Sequence, residues 1–150
     1  MTFFAVSCNF NNKEIDESMR FFNYLDAAEV DIDTQNMPIL VIPMESCEMC
    51  RDRIVSFYGE NKELFNRTII IISGVGRKQI NLNFPKWFLK NDNVYLETKN
   101  LYITSGLHES LSMIFYLTNG SLYRTVRLYN ETLQHDLENL RTITYYYDEL

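Results

Sequence analysis

Two short runs of β-branched residues limit what this chain can fold into. The runs ILVIP (Ile39–Pro43) and TIIII (residues 68–72) lack the alternation of polar and apolar side chains that a half-exposed strand shows. Each run therefore predicts a strand that is buried on both faces. The segment between them, residues 50–65, has apolar residues at helical spacing, with a weak point at Gly59. A buried strand, a helix and another buried strand are typical of a parallel pair joined by a crossover helix.

The remaining segments predict helices around a mixed sheet. Residues 15–30 have the spacing of an amphipathic helix, and Asn119-Gly120 predicts a hairpin turn between strands at residues 112–117 and 121–129. The other predicted elements are a short helix starting at Pro85, a short strand at residues 93–97 and a final helix at about residues 131–141. Parallel strands followed by a hairpin predict an α/β fold, with a central mixed sheet flanked by helices in a single domain over residues 15–150.

Composition and charge narrow the class of protein. With 150 residues and 46% apolar residues, the chain is large enough to bury a core as one domain. Its formal net charge of -6 disfavours a nucleic-acid partner, because no basic stripe is available to contact phosphates. No stretch approaches the roughly 20 apolar residues of a membrane-spanning helix. The few basic clusters are predicted to be solvated faces, and they are Arg51 with Arg53, Arg77 with Lys78, and Arg124 with Arg127.

Residues 1–14 form an N-terminal segment that precedes the predicted domain. The sequence FFAVSC, residues 3–8, resembles the end of a bacterial lipoprotein signal, in which a cysteine after a small residue receives lipid. The Asn-rich stretch after Cys8 resembles the tether of a lipidated protein. Residues 2–6 are shorter than the apolar run of about 7 to 15 residues in an ordinary signal. Two interpretations stay open: Cys8 is a lipid-anchor site in a chain that starts further upstream, or it is an ordinary cysteine.

Cys47 and Cys50 form a Cys-x-x-Cys motif between the first predicted strand and the helix that follows it. A sulfur at the start of a helix meets free backbone N–H groups and the positive end of the helix dipole, which lower the pKa of a thiol. We therefore expect Cys47 to be the attacking thiolate, and Cys50, which is predicted to begin the helix, to be the resolving thiol. Nearby acidic residues raise a thiol pKa and basic residues lower it. Those neighbours are Glu45, Glu48, Arg51 and Arg53.

With this motif in this order of elements, the chain resembles the thioredoxin-like superfamily, especially the exported or lipid-anchored thioredoxin-like proteins of bacterial envelopes. The resemblance covers about residues 38–140 and is carried by ILVIP leading into SCEMCRDRI, by TIIIIS, by the hairpin FYLTNGSLYRTV and by the last helix. It implies a thioredoxin-like fold with an extra N-terminal helix at residues 15–30. It also implies thiol-disulfide oxidoreductase activity through Cys47 and Cys50, partners that carry protein thiols or disulfides, and a location in the bacterial periplasm or cell envelope.

The dithiol motif itself departs from the usual pattern of that superfamily. Glu48-Met49 stands between the cysteines, where Gly-Pro or a similar pair is common. Ser46 replaces the usual tryptophan before the first cysteine, and Val41 replaces a buried acidic residue found in many members. The redox potential of a related protein therefore does not transfer to this chain.

The resemblance also implies a loop that faces the dithiol just before the hairpin. Counting back from the turn places this loop within GLHESLS, residues 106–112, where a docking proline is usual and this chain has Ser110 or Leu111. The count also places His108 and Glu109 in the loop. We hypothesise that His108 lies near the sulfurs and exchanges protons with them. A surface histidine with no such role is the alternative.

No metal or cofactor is predicted. A closed zinc site needs four ligands, and the two histidines and Cys8 are scattered far from the one Cys-x-x-Cys motif. The stretch SGVGRKQ, with Glu97 lying 21 residues after Gly76, mimics part of a dinucleotide-binding fingerprint. Gln79 takes the place of the third glycine, and too little chain remains for the second half of such a fold.

A non-catalytic interaction module of the same fold is the main alternative to an oxidoreductase. In that alternative the cysteine pair is structural or inert, and the sheet only supports a binding surface. The two hypotheses differ in the state of Cys47, because a buried or high-pKa Cys47 would favour the scaffold.

Overall fold

The computed structural model describes residues 12–30, 36–107 and 110–147. These ranges form a five-stranded mixed sheet with helices on both faces, so the predicted α/β class is confirmed. The strands are β1 Ile39–Pro43, β2 Ile69–Ser73, β3 Val94–Glu97, β4 Met113–Thr118 and β5 Ser121–Arg127. The α-helices are α1 Asn12–Ala27, α2 Glu48–Glu60, α3 Arg77–Asn83, α4 Lys86–Leu89, α5 Leu101–Thr104 and α6 Leu133–Tyr147.

Strand β1 lies at the centre of the sheet, whose order is β3-β2-β1-β4-β5. It pairs in parallel with β2, where Val41 is opposite Ile71, and antiparallel with β4, where Val41 is opposite Met113. Strand β3 is parallel to β2, and β5 is antiparallel to β4. Strands β1, β2, β3 and β5 therefore all run in one direction. Their carboxyl ends meet at one edge of the sheet, the edge from which the chain enters the Cys-x-x-Cys motif.

The two faces of the sheet pack against different helices. Leu40 and Ile42 of β1 belong to a buried cluster that includes residues of α2, α3, α4 and α6. Ile39 and Val41 point to the other face and pack with residues of α1 and α5. Both faces of β1 are covered, which explains why its sequence has no polar alternation.

The first helix follows its sequence pattern but is displaced towards the N-terminus. It spans Asn12–Ala27, whereas the pattern predicted residues 15–30. The chain leaves the helix at Glu29, which has a left-handed φ of 54°. Backbone hydrogen bonds from Val30 N to the Leu25 carbonyl (3.3 Å) and from Glu29 N to the Asp26 carbonyl (3.1 Å) form a Schellman-type end.

The segment between β1 and β2 contains two helices where one was predicted. Gly59 does not interrupt α2, which ends at Glu60 and is followed by a 3-10 helix over Lys62–Asn66. The break occurs at Asn61, whose backbone N and side-chain Nδ2 both donate to the Phe57 carbonyl, at 3.0 and 2.9 Å. The backbone bond is the last i to i-4 bond of α2, the side-chain bond caps the same carbonyl, and the backbone of Asn61 then leaves the helical region with φ -128° and ψ 61°.

The remaining elements agree with the sequence patterns to differing extents. The predicted hairpin and the short strand β3 are present, and α6 is longer than predicted, reaching Tyr147. Helices α3 and α5 were not predicted. Cys8 and the rest of residues 1–11 lie outside the described residues. None of the helices in the described part of the chain combines the length and apolar character needed to cross a lipid bilayer.

Shortening a side chain of β1 should destabilise the whole domain. Leu40 is 1% exposed, so we expect Leu40→Ala to lower the free energy of unfolding by about 2–5 kcal/mol. Leu82→Ala removes the same atoms from a side chain that is 77% exposed, and we expect it to stay within about 0.5 kcal/mol of the wild type. Equilibrium urea unfolding measures both variants. Similar losses in the two would contradict the assigned positions of these leucines.

Candidate functional site

The turn from β1 into α2 is held by a buried arginine. Arg51, in the first turns of α2, donates from Nη1 to the carbonyl oxygens of Met44 (2.7 Å) and Ser46 (2.5 Å). The backbone adds two further bonds, from Ser46 N to the Pro43 carbonyl (3.0 Å) and from Met44 N to the Ser73 carbonyl of β2 (2.8 Å). The prediction that Arg51 lies on a solvated face is therefore wrong. Its side chain is only 8% exposed because it bonds to the inside of the turn.

Cys47 is the N-cap of α2. The helix begins at Glu48, two residues before the predicted start at Cys50. Cys47 Sγ accepts a hydrogen bond from Cys50 N at 3.2 Å, and the Cys47 carbonyl accepts from Arg51 N at 3.0 Å. The sulfur thus takes the place that a Ser or Asp oxygen commonly occupies at a helix N-terminus. It also lies at the positive end of the helix dipole, as the motif predicted.

The two sulfurs lie 2.7 Å apart, and their environments differ. Cys47 is exposed, whereas Cys50 is buried with 7% of its surface accessible. Hydrogen bonds from the side chain and backbone of Cys50 lower the pKa of Cys47 from its ordinary value, with a smaller contribution from the charge of Arg51. Burial, together with the proximity of Cys47, raises the pKa of Cys50 to about 11. The pair therefore combines an accessible thiol that ionises easily with a buried thiol that keeps its proton.

The charged neighbours of the motif act partly as predicted. Arg51 lowers the pKa of Cys47, and the charge of Arg53 opposes the effect of burial on the pKa of Cys50. Glu48 is exposed on the first turn of α2. Glu45 is also exposed, and its Oε1 accepts a hydrogen bond from Asn100 Nδ2 at 3.2 Å. Both arginines therefore act in the predicted direction, although one of them is buried.

Asn130 is a site residue that the sequence patterns did not indicate. Its Oδ1 lies 4.0 Å from Cys50 Sγ, within reach of a weak S–H···O hydrogen bond. Arg53 Nη1 donates to both the side-chain Oδ1 and the backbone carbonyl of Asn130, each at 2.9 Å. Asn130 is three residues after the end of β5, and β5 ends at the same edge of the sheet as β1. The sequence could have indicated Asn130 only if the direction of β5 had been known, because that direction decides at which edge of the sheet the strand ends.

The loop predicted to face the cysteines is described in part. Continuing the register of β4 with β1 places Leu111 opposite Pro43, at the edge that carries the cysteines. The Leu111 carbonyl accepts a hydrogen bond from Tyr102 Oη at 3.5 Å, and Ser110 is exposed. His108 and Glu109 lie outside the described residues, so proton exchange by His108 stays a prediction.

Glu97, the acidic residue of the fingerprint-like stretch, has a structural position. Its Oε2 accepts a hydrogen bond from Ser73 Oγ at 2.5 Å, and its Oε1 accepts one from Leu101 N at 2.8 Å. Glu97 is buried, and its carboxylate joins the end of β2 to the start of α5. Across residues 12–30, 36–107 and 110–147, no group of three or more His, Cys, Asp and Glu side chains is arranged to hold a metal ion.

Comparison with known proteins leaves the site to be interpreted from its own geometry. The chain matched no family model, no curated protein and no solved structure.

The pH dependence of alkylation should separate the two thiols. We expect iodoacetamide to modify Cys47 with an inflection at lower pH than that of an ordinary cysteine, because a lowered pKa leaves more thiolate at each pH. Cys50 should react only as the pH approaches its pKa of about 11. Peptide mass spectrometry of the reduced chain follows both sites.

Removing the Cys50 thiol tests the cause assigned to the Cys47 pKa. Cys50→Ala deletes the side-chain hydrogen bond that contributes most, so the Cys47 inflection should move to higher pH. Ser56→Ala changes an exposed residue of the same helix and should leave the inflection in place. An unchanged inflection in Cys50→Ala would show that the thiol pair does not set the acidity of Cys47.

Proposed function

We propose that this chain is a thiol-disulfide oxidoreductase with a thioredoxin-like fold, which acts on cysteines of a partner protein. Cys47 is the attacking thiolate and Cys50 is the resolving thiol. The observation that carries the proposal is the contrast within the pair: an exposed thiol with a lowered pKa contacts a buried thiol with a raised pKa. Nucleophilic attack on a partner requires an exposed thiol with a lowered pKa. The resolving thiol must keep its proton until Cys47 has reacted, and a buried thiol with a raised pKa does so.

The position of the dithiol relative to the sheet supports the proposal of a thioredoxin-like fold. The motif follows the carboxyl end of the central strand β1 and opens the crossover helix α2. A hairpin of β4 and β5 pairs antiparallel with the other side of β1, and α6 follows that hairpin. This order of elements agrees with the resemblance found in the sequence.

In the proposed cycle the Cys47 thiolate attacks one sulfur of a partner disulfide, R–S–S–R′. The attack forms Cys47–S–S–R and releases R′–S⁻, which takes a proton from solvent. Cys50 then loses its proton and attacks Cys47 Sγ, forming the Cys47–Cys50 disulfide and releasing R–S⁻, which gains a proton. Two electrons pass from the cysteine pair to the partner. The same steps in reverse oxidise a partner dithiol.

The scaffold alternative is supported by one feature of the loop that faces the dithiol. The resemblance implies a docking proline at Ser110 or Leu111, and neither residue is a proline. The exposed, acidic state of Cys47 favours the oxidoreductase, because an inert pair has no need of an ionised, accessible sulfur.

A redox titration with alkylation and mass spectrometry tests the activity. We expect the Cys47–Cys50 pair to convert from dithiol to disulfide between roughly −250 and −100 mV, the range of known exchange catalysts. Cys47→Ser and Cys50→Ser should abolish the transition, since neither can form the intramolecular disulfide. A pair that stays in one state across this range would support the scaffold alternative.

Trapping of a partner tests the roles given to the two cysteines. Cys50→Ser should accumulate a mixed disulfide at Cys47 because the resolving thiol is absent, and Cys47→Ser should not. Non-reducing gels of extracts from cells that express each variant provide the measurement. Equal trapping by the two variants would contradict the assigned order of attack.

A location in the bacterial envelope, with a lipid anchor at Cys8, is a separate part of the proposal. It rests on residues 3–8 and on the resemblance to exported proteins. We expect the intact mass of the protein isolated from its source cells to match a chain that starts at a lipidated Cys8, and Cys8→Ser to lose the lipid mass. A mature protein that retains residues 1–7 would rule out this anchor.

A further inference from the structure

We infer that Asn130 is a positioning residue, which orients the Cys50 thiol for the resolving step while Arg53 holds Asn130 in place. The inference rests on the proposed function and assigns a second-step role to the loop between β5 and α6. It follows from the three contacts that join this loop to α2: Cys50 Sγ to Asn130 Oδ1, and Arg53 Nη1 to both oxygens of Asn130.

The orientation of the Asn130 amide follows from the chemistry of Arg53. A guanidinium can only donate hydrogen bonds, so the atom that it meets at 2.9 Å must be the amide oxygen. The same nitrogen donates to the Asn130 backbone carbonyl at 2.9 Å, which fixes the side chain relative to its own main chain. An amide oxygen has two lone pairs, so Oδ1 can accept from Arg53 and from the Cys50 S–H together.

The need for Asn130 arises after Cys47 has reacted. In the reduced pair, the Cys50 S–H donates to Cys47 Sγ at 2.7 Å. Once Cys47 is in a mixed disulfide, its sulfur carries no charge and is a weak acceptor. Among the described residues, Asn130 Oδ1 is the other acceptor within hydrogen-bonding distance of Cys50 Sγ. It can then hold the S–H in a fixed direction until the proton leaves.

The resolving step balances without a proton on Asn130, because an amide does not act as a base near neutral pH. Cys50–SH and Cys47–S–S–R give the Cys47–Cys50 disulfide and R–SH, with the proton passing to the departing thiolate. The positive charge of Arg53 stabilises the Cys50 thiolate while this transfer takes place. Asn130 and Arg53 therefore act on the second step, whereas Cys47 and the start of α2 control the first.

The two steps can be observed separately with an aromatic disulfide, 5,5′-dithiobis(2-nitrobenzoate). Cys47 releases one coloured thiolate when it forms the mixed disulfide, and Cys50 releases the second when it resolves that disulfide. Rapid-mixing absorbance of the full-length reduced chain should therefore show two phases, each of one equivalent. If the wild type shows no second phase, both the proposed function and this inference are overturned.

We expect Asn130→Ala to slow the second phase by about fivefold, the factor that corresponds to one ordinary hydrogen bond, and to leave the first phase within about twofold. Asn83→Ala removes an exposed asparagine of α3 and should leave both phases unchanged. Circular dichroism and thermal unfolding check that the variants remain folded. A two-phase wild type with a normal second phase in Asn130→Ala overturns the inference and leaves the proposed function intact. Equal slowing of both phases also overturns it, because loss of local structure affects the two steps alike.

Asn130→Asp gives a second test. It keeps the shape of the side chain, so a change in rate is not explained by a folding defect. The carboxylate places a negative charge beside Cys50 and competes for Arg53, so the Cys50 thiolate becomes less stable. The midpoint of the pH–rate profile of the second phase should therefore move to higher pH, while the profile of the first phase stays in place. Two unshifted profiles would show that the side chain at position 130 does not lie beside the Cys50 sulfur during the second step, and that result overturns the inference.

Discussion

The pairing of β1 with a parallel neighbour on one side and an antiparallel neighbour on the other sets the position of the site. Both sides of β1 are paired and both of its faces are covered. The turn that follows Pro43 and leads into α2 therefore lies at the edge of the sheet. The parallel crossover makes α2 begin at that same edge, so its positive end lies at Cys47. The antiparallel β4 and β5 bring the chain back to this edge, which is why Asn130 reaches Cys50 from 80 residues further along the chain.

One turn therefore gives the two cysteines opposite environments. The N-cap position leaves Cys47 outside the first helical turn, accessible to solvent and to backbone N–H groups. Three residues later, Cys50 points into the cluster that α2 and α6 form with the sheet, and burial makes its ionised form unfavourable. The spacing of the motif, rather than a special residue between the cysteines, produces the difference. Glu48 and Met49, unusual between such cysteines, lie on the exposed side.

The elements that could be predicted are those with a local signal. The β-branched runs of β1 and β2 and the Asn-Gly turn of the hairpin each determine their structure within a few residues. Helices α3 and α5 have too few turns for an apolar period, and α5 starts where the distant Ser73–Glu97 pair fixes its first N–H. Arg51 was misplaced because a charge pattern treats arginine as solvated, whereas two carbonyls of the turn accept its hydrogen bonds. The position of Asn130 depends on the direction of β5, which comes four strands after β1 in the sequence, and no local pattern contains that direction.

The charges of the turn favour the oxidoreductase over the inert scaffold. Arg51 is buried beneath the N-terminus of α2, where the helix dipole is also positive, and its hydrogen bonds go to neutral carbonyl oxygens. A buried cation at this end of a helix costs free energy unless a negative charge lies close to it. Glu48 in the first turn of α2 supplies one such charge, on the exposed side of the helix. Under the proposed function a Cys47 thiolate would add a second negative charge, so the arrangement that stabilises the turn would also favour a nucleophilic sulfur on its surface.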